Sequence, residues 1–128
     1  MDDFQFPVFV RLKDCGDVRR YNSVADMQRD FEQIDVENEE YDAWDARATP
    51  LKLSVQKPSV WLRLESSGVQ NPEQLAHAIT EFARLQSVQV DTSTLRHGDF
   101  SRVLEQVTST VVAKRQAQSW WEKFKRRF

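Results

Sequence analysis

Apolar residues stand at every second position near the start of the chain, between Phe4 and Leu12. A period of two places these side chains on one face of a β-strand. Residues 14–17 have turn composition, and residues 18–21 fit the returning strand of a hairpin. Because Pro7 has no amide hydrogen to donate, we expect the first strand to lie at a sheet edge at that position, or to bulge there.

The spacing of apolar residues lengthens to three or four positions after Asn22. This spacing predicts an amphipathic helix, and Ser23 can cap its free amide groups. The acidic residues from Asp35 to Glu40 then indicate a solvated connection. The predicted buried stripe of this helix consists of Val24, Met27, Phe31 and Ile34.

Two further alternating segments predict a second hairpin and a fifth strand. Residues 41–46 and 51–56 flank a turn at residues 47–50, and residues 60–65 alternate again. Val88 and Val90 predict a short sixth strand.

Two helices are predicted in the second half of the chain. Asn71 begins the first, because asparagine caps free amides and Pro72 suits the first helical position. Asp99 is the predicted cap of the second helix. The predicted buried stripes are Leu75, Ile79, Phe82 and Leu85 in the first helix, and Phe100, Val103, Leu104, Val107 and Val111 in the second.

Together these elements predict an α+β fold. We expect a mostly antiparallel sheet of about five strands with two to three helices on one face, in the order β-β-α-β-β-β-α-α. A chain of 128 residues fits one domain. Residues 1–113 are predicted to form that domain, and residues 114–128 a basic amphipathic helix, which we call the C-terminal segment.

The C-terminal segment separates aromatic from charged residues when it is wound as a helix. At about 100° per residue, its tryptophans and phenylalanines fall within an arc of about 100°, and cations occupy much of the remainder. This composition is typical of a helix that binds a partner or an interface. The predicted partner-binding residues are Trp120, Trp121, Phe124, Phe128, Lys123, Lys125, Arg126 and Arg127.

The aromatic stripe does not continue the stripe of the preceding helix. The two stripes are centred about 90° apart on one helical wheel, so a single straight helix cannot aim both at the same core. Residues 114–118 contain no proline or glycine that would force a break. Either the chain bends there, or the helix continues beyond its domain.

Four uses of the aromatic stripe stay open. It could cover the back of the sheet, where Phe9, Trp44 and Trp61 could point outward together. It could instead bind a second copy of the chain, a different protein or an anionic membrane surface.

Charge is distributed unevenly along a chain whose net charge is −2. The C-terminal segment carries six lysines and arginines against Glu122 alone, whereas the carboxylates of residues 26–45 face Arg29 alone. The two ends are either separately solvated or meet within or between molecules. The acidic residues are Asp26, Asp30, Glu32, Asp35, Glu37, Glu39, Glu40, Asp42 and Asp45.

Residues with catalytic or metal-binding chemistry are few. His77 and His97 stand twenty positions apart without metal-ligand spacing, and the single cysteine, Cys15, is flanked by Asp14 and Asp17. We therefore expect no catalytic site, no metal and no cofactor, and no small-molecule substrate is evident. The acidic balance makes nucleic acid an unfavourable partner.

The sequence thus predicts a non-enzymatic protein-interaction or self-association module, with a homodimer as one form. The alternatives are a peripheral membrane protein that uses the C-terminal segment, and a small acidic immunity or antitoxin-type protein. The acidic start lacks the pattern of a signal peptide, and no apolar run approaches the ~20 residues of a membrane span, so we expect a cytoplasmic protein.

Overall fold

The structure, a computed structural model, describes residues 4–56, 60–91, 95 and 99–126. For residues 118–126 it describes the backbone alone.

Five strands form one sheet in the order β2-β1-β3-β4-β5, and every neighbouring pair is antiparallel. The two predicted hairpins and the fifth strand are confirmed. The strands are β1 (Val8–Leu12), β2 (Val18–Tyr21), β3 (Tyr41–Trp44), β4 (Pro50–Val55) and β5 (Leu62–Ser66).

The described residues also form the helices of the α+β fold. Two of the predicted caps accept a backbone hydrogen bond: Ser23 Oγ accepts from Asp26 N at 3.1 Å, and Asn71 Oδ1 accepts from Gln74 N at 3.2 Å. The predicted fold class and element order are confirmed, with two short helices in place of the first one. The helices are α1 (Val24–Asp30), α2 (Gln33–Glu37), α3 (Pro72–Leu85) and α4 (Phe100–Arg126).

The sheet separates two apolar cores. Phe9 and Trp44 pack with α3 and α4 on one face, whereas Val8 and Val10 pack with α1 and α2 on the other. This follows from the strand period of two, since neighbouring residues point to opposite faces. The two long helices therefore share one face as predicted, and the structure places the short helices on the other.

Phe31 divides the predicted first helix into α1 and α2. Its backbone is extended, with φ −98° and ψ 141°. Its ring stacks on Tyr41 at a centroid distance of 4.3 Å and meets Tyr21 edge-on at 5.2 Å. Because this turn changes the phase of the helix, Val36 is buried and Ile34 is 59% exposed. The predicted stripe is wrong at Ile34.

β1 is an inner strand, contrary to the edge position expected from Pro7. It pairs with β2 on one side and β3 on the other. The strand begins at Val8, so the missing donor of Pro7 lies outside the ladder. β2 and β5 are the edge strands of the sheet.

Val88 and Val90 form no strand. Ser87 adopts a left-handed φ of 57°, and Val88 N donates to Ala83 O at 2.8 Å. This bond from the residue directly after the left-handed residue closes the end of α3 as a Schellman motif. Val88 and Val90 pack instead against the core of α3 and α4.

Leu85 is 48% exposed, so the predicted α3 stripe ends at Phe82. The Leu85 side chain lies against the turn between β1 and β2, where a Cβ atom at Gly16 would come within 2.6 Å of Leu85 Cδ1. Gly16 has a φ of 77°. Glycine therefore meets two needs of this turn, a left-handed backbone and room for the end of α3.

Candidate functional site

The first half of α4 anchors the helix to the domain. Its apolar stripe is buried as predicted, and packs with α3 and with the Phe9 face of the sheet. Phe100 meets Phe9 edge-on at a centroid distance of 6.2 Å. The buried residues are Phe100, Val103, Leu104, Val107 and Val111.

Beyond Val111 the helix has no buried residue up to Ala117, and Lys114 Nζ donates to Ser87 O at 3.0 Å. The six residues from Val112 to Ala117 are all exposed. At about 100° per residue, six successive positions pass around the whole circumference of a helix. The backbone remains helical to Arg126, which lies about 22 Å beyond Val111 at 1.5 Å per residue. The backbone is thus one continuous helix through residues 114–118, where the stripe offset allowed either a bend or a continuation.

The predicted partner-binding residues fall in this distal part of α4. The backbone through Arg126 is helical, which is the condition for the predicted aromatic stripe. The side chains of Trp120, Trp121, Phe124, Lys123, Lys125 and Arg126 lie outside the described residues, as do Arg127 and Phe128 altogether.

The sheet face proposed for coverage by the aromatic stripe is already covered. Phe9 and Trp44 are 1% and 2% exposed within the core that α3 and the first half of α4 complete. Trp44 Nε1 also donates to Gln74 Oε1 of α3 at 3.1 Å. Trp61 packs against the opposite core. The expected common outward face of these three residues is therefore wrong.

The acidic stretch of the sequence divides into paired and unpaired carboxylates. Asp45 is buried, Asp42 pairs with Arg11 at 2.8 Å, and Asp30 accepts from the Tyr21 hydroxyl at 3.0 Å. Five carboxylates on and beside α2 form no ion pair with a lysine or arginine among the described residues. We call Glu32, Asp35, Glu37, Glu39 and Glu40 the acidic cluster.

The acidic cluster has apolar neighbours. Ile34 is exposed on α2 between its carboxylates. Tyr41 lies under them, and its pKa is raised by burial first and then by the negative charges of Asp35 and Glu32. A surface that combines negative charge with exposed apolar area suits a cationic, apolar partner.

The ionisation of Tyr21, at the end of β2, tests whether its hydroxyl is partly buried and hydrogen-bonded to Asp30. Burial, then the hydrogen bond to Asp30, raises its pKa from 10.0 to about 12. The neutral phenol is thus favoured in the folded state, so stability is fully present below pH 10 and falls as pH rises from 10 to 12. With solvent screening of the hydroxyl, we expect a loss of about 1 kcal/mol.

Absorbance titration of Tyr41→Phe measures this pKa directly, because the chain has two tyrosines. Asp30→Asn in the same background should lower the midpoint while leaving it above 10, since burial is the larger cause. A midpoint near 10 before that change would contradict the buried, hydrogen-bonded hydroxyl.

A groove of about 420 Å³ runs between edge strand β2 and α4. Sequence reasoning did not find it, because it needs β2 at the sheet edge and α4 beside it, and neither is encoded locally. Apolar walls come from Val18, Phe82, Leu104 and Val111.

The remaining reactive residues do not converge. Cys15 is exposed, and partial desolvation together with the carboxylates of Asp17 and Asp14 raises its pKa. His77 is exposed, and His97 lies outside the described residues. Among the residues the structure describes, no group of three histidines, cysteines or carboxylates could hold a metal ion. Within the same residues, no helix combines the length and apolarity needed to cross a bilayer.

Comparison with protein-family models, with curated proteins and with solved structures finds no match.

Proposed function

We propose that this protein is a non-enzymatic self-association module, in which the C-terminal segment of one copy binds the acidic cluster of a second copy. The observation that carries the proposal is the continuation of α4 as a helix for about 22 Å past Val111, with residues 112–117 all exposed.

A helix of this kind gains from being covered. Short helices are marginal in water, and most of their stability in proteins comes from packing an apolar face. The sequence places two tryptophans and two phenylalanines on one face of the C-terminal segment. Exposed together on a free helix, such rings would form one contiguous apolar surface, which marks an interaction site in soluble proteins.

Charge selects the partner surface. Two C-terminal segments would repel each other, since each carries six cations and one carboxylate. The acidic cluster offers five carboxylates without cationic partners among the described residues, beside the exposed Ile34. Opposite charges at a rim and apolar contacts at a centre are the usual layout of a protein interface.

Removing the rings should abolish association. For Trp120→Ala with Phe124→Ala we expect light scattering to report the monomer mass of 15.0 kDa, where the unchanged chain gives at least twice that mass. Gln118→Ala with Ser119→Ala changes the predicted polar face of the same turn and should leave the mass of the assembly unchanged.

Reversing charge tests which surfaces meet. Lys123→Glu with Arg126→Glu, and separately Glu37→Lys with Glu40→Lys, should each yield monomers. A mixture of the two variants should associate again, because each supplies the surface that the other has lost. A monomeric unchanged chain at all concentrations would refute self-association, and failure of the mixture to associate would refute the acidic cluster as the partner surface.

A further inference from the structure

Edge strand β2 has hydrogen-bonding groups directed away from the sheet. Leu12 N donates to Asp17 O at 2.8 Å, so Leu12 and Asp17 are a hydrogen-bonded pair. Val10 and Arg19 are paired two residues further along the same register. In an antiparallel ladder, hydrogen-bonded and non-hydrogen-bonded pairs alternate. The backbone N–H and C=O groups of Val18 and Arg20 therefore point outward, where no strand of the described residues pairs with them.

The side chains of the same two residues face the groove beside α4. Val18 and Arg20 pair with Arg11 and Phe9, so they lie on the sheet face that α3 and α4 cover. Both residues line the groove, together with Leu104 of α4. An added strand would thus hydrogen-bond to Val18 and Arg20 and direct alternate side chains into the groove.

The charge of the groove favours an acidic occupant. Asp17 lies 3.8 Å from the Arg19 guanidinium. With Asp17 paired to Arg19, Glu105 is the remaining carboxylate among the described residues that line the groove, whereas Arg20 and Arg115 supply two positive charges. Arg20 forms no ion pair among the described residues. A second copy of β2 does not suit this edge, because two strands of sequence Val-Arg-Arg-Tyr would place arginines against arginines.

We propose that β2 and the groove beside α4 form a docking site for an extended acidic peptide, which joins the sheet as a sixth strand. The peptide places an acidic side chain near Arg20 and, two residues away, an apolar side chain near Val18 and Leu104. Of the described residues that line this site, Arg115 alone belongs to the C-terminal segment of the proposed self-association.

The probe is the blocked peptide acetyl-Thr-Glu-Thr-Val-Thr-Glu-Thr-amide, added to the full chain labelled with nitrogen-15. We expect a dissociation constant on the order of 100 µM, amide shifts at Val18 and Arg20, and hydrogen exchange at these two amides slowed about tenfold or more. The same peptide with lysine for glutamate, and one N-methylated at valine, should bind at least ~10-fold more weakly.

Charge-reversal variants test whether Arg20 recognises the acidic side chain of the peptide. Arg20→Glu should weaken binding of the acidic peptide by about tenfold or more and favour the lysine peptide. Arg63→Glu, at the exposed face of the opposite edge strand β5, should leave binding unchanged. Absence of shifts at Val18 and Arg20 would overturn the proposal, as would equal binding of the N-methylated peptide. Slow exchange of both amides before any peptide is added would also overturn it, since the edge would then already be paired.

Discussion

Asp45→Ala is expected to lower the free energy of unfolding by about 3–5 kcal/mol. The Asp45 side chain is fully buried, and its oxygens accept backbone hydrogen bonds from Gln5 at 3.2 Å and from Arg47 and Thr49 at 2.9 Å each. The carboxylate thus holds the turn between β3 and β4 and ties it to the segment before β1. Alanine would leave three donors without this acceptor.

The same turn contains a residue with an unfavourable backbone conformation, and the hydrogen bonds of Asp45 offset its free-energy cost. Ala48 is buried with a left-handed φ of 62°, a conformation that costs a non-glycine residue on the order of 1 kcal/mol. Its N–H donates to Asp45 O at 3.0 Å, and its carbonyl accepts from Asn71 N at 2.9 Å. The turn therefore also positions the start of α3. Loss of the turn would disturb α3 as well as the segment before β1.

Urea denaturation followed by circular dichroism measures the effect. Asp42→Ala is the matched control on β3, the strand that leads into the turn, because the Asp42 side chain is partly exposed and makes ion pairs with Arg11 and Lys13. We expect a loss of about 1 kcal/mol or less. Asp45→Asn should fall between the two, since its remaining oxygen can serve Arg47 and Thr49 while its amide faces the Gln5 N–H. Equal stability of Asp45→Ala and Asp42→Ala would show that the buried carboxylate does not organise the turn.

Asp45 shows what a pattern of charges in a sequence cannot reveal. In the chain it ends a run of nine acidic residues and has the same local signal as the exposed glutamates before it. What distinguishes it is the convergence of backbone amides from Gln5, Arg47 and Thr49, and Gln5 is forty residues away. Local composition cannot reveal such a partner, so the run was interpretable only as a solvated or interacting surface.

Strands and helix starts were predictable because their signals are local. The turn composition of residues 14–17 predicted β2 at Val18–Tyr21, and Asn71 with Pro72 predicted the start of α3. The break at Phe31 was not predictable, since no proline or glycine lies there and the helical spacing continues through Ile34. Packing of the Phe31 ring between two tyrosines from different strands decides that geometry.

The candidate site was predictable in one part and not in another. The offset between the two stripes of the last helix indicated that its end cannot share the core of its beginning, and the exposed residues 112–117 agree with that geometry. The groove beside β2 gave no signal in the sequence, because strand order depends on contacts between distant segments.

Val107→Asp is expected to lower the free energy of unfolding by about 4 kcal/mol or more, because it places a carboxylate in the core between α4 and the sheet. Val107 is fully buried there. Val112→Asp is the same substitution five residues along the same helix, where the side chain is 46% exposed. Valine and aspartate have similar helix propensities, so we expect a change of about 0.5 kcal/mol or less.

Thermal and urea unfolding of the two variants therefore locate the end of the domain on α4. A large loss at Val107 with a small one at Val112 means that the helix leaves its core just past Val111, so that the C-terminal segment is available for a partner. Comparable losses at both positions would mean that Val112 is covered in solution. The proposal of a free C-terminal helix would then lose its structural basis, since the domain itself would bury the side that a second copy has to reach.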